Sequence, residues 1–193
     1  MASVGYGYLA HLAADTVAHN LFLPRQFLTT STRQALGHAY WEHRMDVHVG
    51  EEYLTKVRHL VMENDHSEAD ALFAEVLSST ILTFQTNRRI FRGMNRFSDH
   101  NRWWQVFDRV LQNSRFDLPS VAVATYRALS FEYVADYLVS RGESRTGTLD
   151  PTEELNLRLA KKVRRLTMAH GGVENPAHLL HGADEFFHFR RTP

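Results

Sequence analysis

The chain contains no cysteine. That removes disulfides and thiolate metal sites together and leaves His, Asp and Glu as its only strong metal ligands. It also lacks an excess of charge of either sign, because 22 Lys and Arg are matched by 22 Asp and Glu. Without a basic field there is no long-range attraction to nucleic acid or to an acidic membrane, so no nucleic-acid partner is expected. No apolar run approaches the roughly 18 residues that a membrane span requires. The opening residues 1–8 carry neither the basic n-region nor the apolar h-region of a signal peptide. These absences together predict a cytoplasmic chain with at most peripheral membrane contact. Strand signals are missing as well: residues 120–124 alternate briefly, but within a helical pattern, and no repeat or low-complexity segment is evident.

What remains is a chain of 193 residues, 44% apolar and 23% charged, long enough to bury a core. Its apolar positions recur at helical spacing nearly throughout, which predicts an all-α, multi-helix bundle. A first helix is expected over residues 4–20, with Pro24 as its break. A second is expected over 33–49, capped by the Thr/Ser cluster at 29–32 and ended by Gly50, with a third or a kinked continuation over 51–62. The cluster Asn64-Asp65-His66-Ser67 reads as a turn and cap before a periodic stretch over 68–91. Further helices are expected over 99–112, from Pro119 to about 141, from the Asp150-Pro151 start to about 170, and over 176–187. The Gly/Ser/Thr-rich stretch 142–149 reads as a linker between a domain over 1–141 and a helical extension over 150–193.

Twelve histidines are a heavy load for a chain of this length, and their placement is not random. His11-x3-Asp15-x3-His19 is followed by His38-x3-Glu42-x3-Asp46. Residues four apart in a helix lie one above the other, so each stretch lines imidazoles and carboxylates along one stripe. Two such helices facing each other would turn nitrogen and oxygen ligands into one pocket, a donor set suited to zinc. The competing reading is a set of surface ion pairs at i, i+4. The doubled pattern favours metal, because Leu12, Ala13, Ala14, Val17 and Ala18 leave the rest of the first helix apolar, and a polar stripe on such a helix needs a partner.

The residues Gly7-Tyr8-Leu9-Ala10-His11-Leu12-Ala13-Ala14-Asp15-Thr16-Val17-Ala18-His19 resemble the central helix of zinc-dependent phospholipase C domains. His38-Ala39-Tyr40-Trp41-Glu42 resembles the His-x3-Glu that follows it in the same domain. The resemblance covers residues 5–46 and fades beyond them. It implies a helical bundle of the phospholipase C/nuclease type that hydrolyses phosphodiesters of phospholipid head groups with metal-activated water. It also implies that His11 and Asp15 hold paired metals, with Asp15 as the bridge, and that His19, His38 and Glu42 hold a further zinc. The family draws additional His and Asp ligands from a segment ahead of its central helix. Here the residues before His11 hold no His, Asp or Glu, so one complete three-ligand site and one half-site are expected.

Other features carry less. His48, His59 and His66 read as surface or capping histidines, and His178, His181 and His188 as part of an exposed tail. Glu63-x2-His66 and Glu185-x2-His188 fit the spacing of di-iron bundles without the accompanying glutamates. The run from Arg158 to Arg165 reads as a solvated basic face, with anionic lipid contact as its functional alternative. Arg88, Arg89, Arg92 and Arg96 form a second basic cluster among aromatics. The sequence thus predicts a zinc-dependent phosphodiester hydrolase acting on a phospholipid or another phosphodiester. The rival class is a non-catalytic helical module with one structural metal or none.

Overall fold

The computed structural model describes residues 2–30, 34–76, 116–151 and 154–169. Among these residues every regular element is helical and no strand occurs, so the chain is all-α as its periodicity predicts. No described helix is long and apolar enough to cross a membrane. The helices expected over 99–112 and 176–187, the second half of 68–91, the arginine cluster 88–96 and the three C-terminal histidines lie outside the described residues. The chain divides into two compact units, Met1–Val4 with Asp46–Asp117, and Gly5–Met45 with Leu118–Pro193.

The second unit carries the patterned histidines. Its first helix, α1 (Ala2–Val17), is expected to end before Pro24, but the chain continues as helix past the proline. A π-helical turn, Ala18–Phe22, connects α1 to α2 (Leu23–Thr29), and the Leu23 N–H reaches back five residues to the Ala18 carbonyl. The physical reason lies in what proline does inside a helix. It has no N–H to donate and its ring presses on the carbonyl four residues back. Widening the preceding turn by one residue relieves that crowding, so the helix bends its bonding pattern instead of stopping.

Three elements hold this turn. α6 in chain order here is preceded by α3 (Gln34–Val49), α4 (Glu51–Glu63) and α5 (Ser67–Val76), and itself spans Ser120–Ser140. It lays Tyr133, fully buried, against Val17 and Leu21, with Tyr126, Leu129 and Leu149 around them. Phe22 meets Tyr126 edge to face at 5.2 Å between ring centroids, a preferred aromatic geometry. On another side, α7 (Glu154–Ala169) packs along α2 and the π turn, burying Leu157 and Ala160 near Phe27 and Leu28. Arg164 of α7 donates to the Leu28 carbonyl at 2.9 Å, supplying a donor to one of the last-turn carbonyls of α2 that lack an intrahelical partner. α3 is tied in by its buried Trp41, whose indole N–H donates to the Thr30 hydroxyl at 3.0 Å, while that hydroxyl donates to the Gln26 carbonyl.

The stretch 142–149, read as a linker, holds two tight turns, Arg141–Glu143 and Arg145–Thr148. Asp136 of α6 accepts the Arg145 backbone N–H at 2.9 Å, and the Arg145 guanidinium lies 5.1 Å from the Tyr133 ring centre. Gly147 is required here because a Cβ would fall 2.7 Å from the Gly142 carbonyl oxygen. The outward positions Val121, Phe131 and Val139 of α6 remain exposed beside the exposed polar residues Thr125, Arg127 and Glu132.

The first unit is built from simpler parts. α4 ends where the Asn64 side-chain amide and the His66 Nε2 both meet the Leu60 carbonyl at 3.0 Å. α5 begins where the Asp65 carboxylate accepts from the Ser67 backbone and hydroxyl. Exposed i, i+4 pairs Glu52–Lys56 and His59–Glu63 line α4, each a surface contact of modest worth. Gly50 separates α3 from α4 with φ 99° and ψ 151°, a region that only glycine enters without strain. Gly50→Ala is therefore expected to destabilise the fold by about 1–3 kcal/mol, measured as a lowered urea midpoint at unchanged m-value.

Candidate metal centre

The π turn decides where His19 points. It follows α1 directly and projects its imidazole toward α3, where the His38 ring lies 5.0 Å away between centroids and is turned by 71°. His38 and Glu42 are one helical turn apart on α3, and the His38 Nε2 is 2.9 Å from a Glu42 oxygen. One ligand atom from each of His19, His38 and Glu42 falls within 4.8 Å of the other two. Two imidazoles and one carboxylate, from two separate helical segments, therefore converge on one point.

The donor chemistry fits zinc. Bonds of about 2.0–2.2 Å in a tetrahedral shell place ligand atoms about 3.4 Å apart, so small rotamer changes close the observed group around an ion. Two His and one Glu also leave the fourth position open, as in catalytic zinc sites. The site is reachable: the side chains of His38 and Glu42 are 28% and 57% exposed.

The two imidazoles are electrostatically unlike. Burial and the neighbouring His38 hold the His19 pKa below its ordinary value, against the opposing pull of Asp15 and Glu42. His19 is therefore neutral, the form that binds a metal. The hydrogen bond to Glu42 raises the His38 pKa, outweighing its partial burial, and Asp15 acts in the same direction. A cation at this point would compete with the proton that the raised His38 pKa favours.

The remaining sequence-predicted ligands are placed differently. His11 and Asp15 pair with each other at 3.2 Å, with His11 well exposed. Asp15 lies near enough for its charge to favour the protonated forms of both His19 and His38, yet it is not among the converging ligand atoms. Asp46 is exposed in the last turn of α3, where its carbonyl accepts the Gly50 N–H. Glu63 pairs with His59 and His66 with the Leu60 carbonyl, so the di-iron spacing on that segment serves surface pairing and capping instead. Sequence reasoning overlooked Asn20, which is 4% exposed. Its Nδ2 donates to the Asp150 carbonyl at 3.0 Å, and its Oδ1 accepts from Asn156 at 3.2 Å. The signal was present: a lone amide before Leu21-Phe22-Leu23, four residues ahead of Pro24, where helical bonding must be disturbed.

Zinc bound at this point would compete with a proton on His38, so its affinity is expected to be highest above the raised His38 pKa. It should fall as pH drops through that value, approaching tenfold per pH unit below it. Calorimetry in buffers of different ionisation enthalpy should register proton release on binding near and below that pKa. No family model, curated protein or solved structure matches the chain.

Proposed function

We propose that His19, His38 and Glu42 bind a zinc ion and that the chain is a metal-dependent phosphodiester hydrolase of the kind its residues 5–46 resemble. The observation that carries this reading is the convergence of the three ligand atoms within 4.8 Å from two helical segments. Surface ion pairs at i, i+4 require no such meeting. His38 and Glu42 satisfy that pattern by themselves, whereas His19 comes from another segment.

A zinc ion held there supplies Lewis acidity to a phosphoryl oxygen and acidifies a coordinated water toward neutral pH. The protein's part is to hold the ligands and leave one side open, which the exposure of Glu42 provides. Asp15 and His11, about one and two turns before His19 and already paired at 3.2 Å, are the residues that would hold a second cation, with Asp15 as the bridge that the resemblance implies. Phospholipid is the proposed substrate class, with other phosphodiesters as alternatives. On α7, Arg158, Lys162 and Arg165 are exposed, whereas Lys161 lies over the Phe27 ring and Arg164 binds the Leu28 carbonyl. Only part of the basic run is therefore open to anionic head groups.

The test is metal analysis and zinc titration of the purified chain, followed by assays on a chromogenic phosphodiester and on phosphatidylcholine vesicles. At least one zinc per chain is expected. His38→Ala or His19→Ala should weaken binding by a hundredfold or more, and His11→Ala should leave the first zinc nearly unaffected. Zinc binding without hydrolysis of either substrate would instead support a structural metal in a non-catalytic module. No binding at all would refute the metal reading.

A further inference from the structure

The geometry points to Asn20 and Asn156 as positioning residues that couple the contact between the start of α7 and the π turn to metal binding at His19, His38 and Glu42. This inference rests on the metal reading above and adds to it an element distant in sequence that governs the site.

One residue in an α-helix corresponds to a rotation of about 100° and a rise of about 1.5 Å. The extra residue accommodated between Ala18 and Phe22 therefore offsets the faces of α1 and α2 by roughly that rotation. Two demands are met at once by this offset. α2 turns Phe27 and Leu28 into contact with α7, while His19 turns toward His38. A regular helix through this region would satisfy one contact and lose the other.

A π turn is a strained alternative to α-helix, so something must favour it. Pro24 does so from one side by lacking the N–H that a regular turn would use. Asn20 does so from inside the turn. Its buried side-chain amide spends both its polar ends on the α7 end of the chain, donating to Asp150 and accepting from Asn156. Those partners are 130 and 136 residues away in sequence. The residue immediately before Asn20 is the ligand His19. Outer partners that orient a metal ligand typically change affinity by about 10–100-fold when removed. Here the orienting contact acts on the backbone turn that carries the ligand.

Coupling of this kind is reciprocal: if the Asn20–Asn156 contact favours the metal-binding geometry, bound metal favours that contact. The experiment uses the whole chain of 193 residues and zinc alone. In the wild type, zinc is expected to slow amide hydrogen exchange in the first turns of α7, which supply no ligand. Asn156→Ala and Asn20→Ala should lower zinc affinity by tenfold or more and abolish that protection. Arg164→Met provides the control. It removes a contact farther along α7 that does not involve Asn20, the bond to the Leu28 carbonyl, and should lower thermal stability while the Asn20–Asn156 contact is kept and zinc affinity stays within twofold.

A purely structural role for Asn156 would make Asn156→Ala and Arg164→Met behave alike. That result, or zinc-bound wild type with unchanged exchange in α7, would overturn the coupling and leave the metal site standing. A wild type that binds no zinc would remove the metal reading first and this inference with it. If Asn20→Ala does not fold, the exchange measurement on the wild type decides alone.

Discussion

Proline's missing N–H at position 24 is the constraint from which much of the described structure follows. A helix can answer such a residue by stopping or by kinking. Here it widens one turn, Ala18–Phe22, and proceeds. The widened turn is then enclosed: Tyr133 and Tyr126 of α6 cover its apolar side, and the Asn20 amide binds the approach to α7 on its polar side. An irregular backbone in a buried place is stable only when its surroundings over-determine it. In this chain the surroundings come from segments more than a hundred residues downstream, so local geometry at the candidate ligand His19 depends on the long-range fold.

The site itself balances two unlike imidazoles. Burial is the chief cause that lowers the His19 pKa, and the hydrogen bond to Glu42 is the chief cause that raises that of His38. Without a cation the pair His38–Glu42 is self-sufficient, and its stabilising contribution is present at low pH and lost as pH rises through the raised His38 pKa. Under the proposed metal reading, cation binding would have the opposite pH dependence, and the same carboxylate would be a cation's ligand where it is otherwise a proton's partner, with solvent exposure softening both effects.

Much of this was legible in the sequence. Helical periodicity and the absence of strand signals gave the all-α class, and the Gly50 boundary and the cap cluster at 64–67 fell where the residue chemistry placed them. The spacing of His38 and Glu42 is a local fact that helix geometry makes inevitable. What the spacing did not carry was anything that depends on the offset between α1 and α2. A regular helix was assumed through residue 20 with a break at Pro24. That assumption hid the π turn, the role of Asn20, and the attachment of α7 to the same compact unit as residues 5–45. Local propensity reads caps and faces well. It has no term for a contact made between residues 20 and 156.

The outward side of α6 has a consequence for the molecule's behaviour in bulk. Phe131 and Val139 of this helix are 74% and 83% exposed, and the chain carries no formal net charge near neutrality. Colloidal stability normally comes from mutual repulsion between like-charged particles. Here that repulsion is weakest where cells and most buffers operate, and the greasy ridge is what encounters a neighbour. Shifting the solution a few pH units from neutrality restores a common charge and keeps such molecules apart.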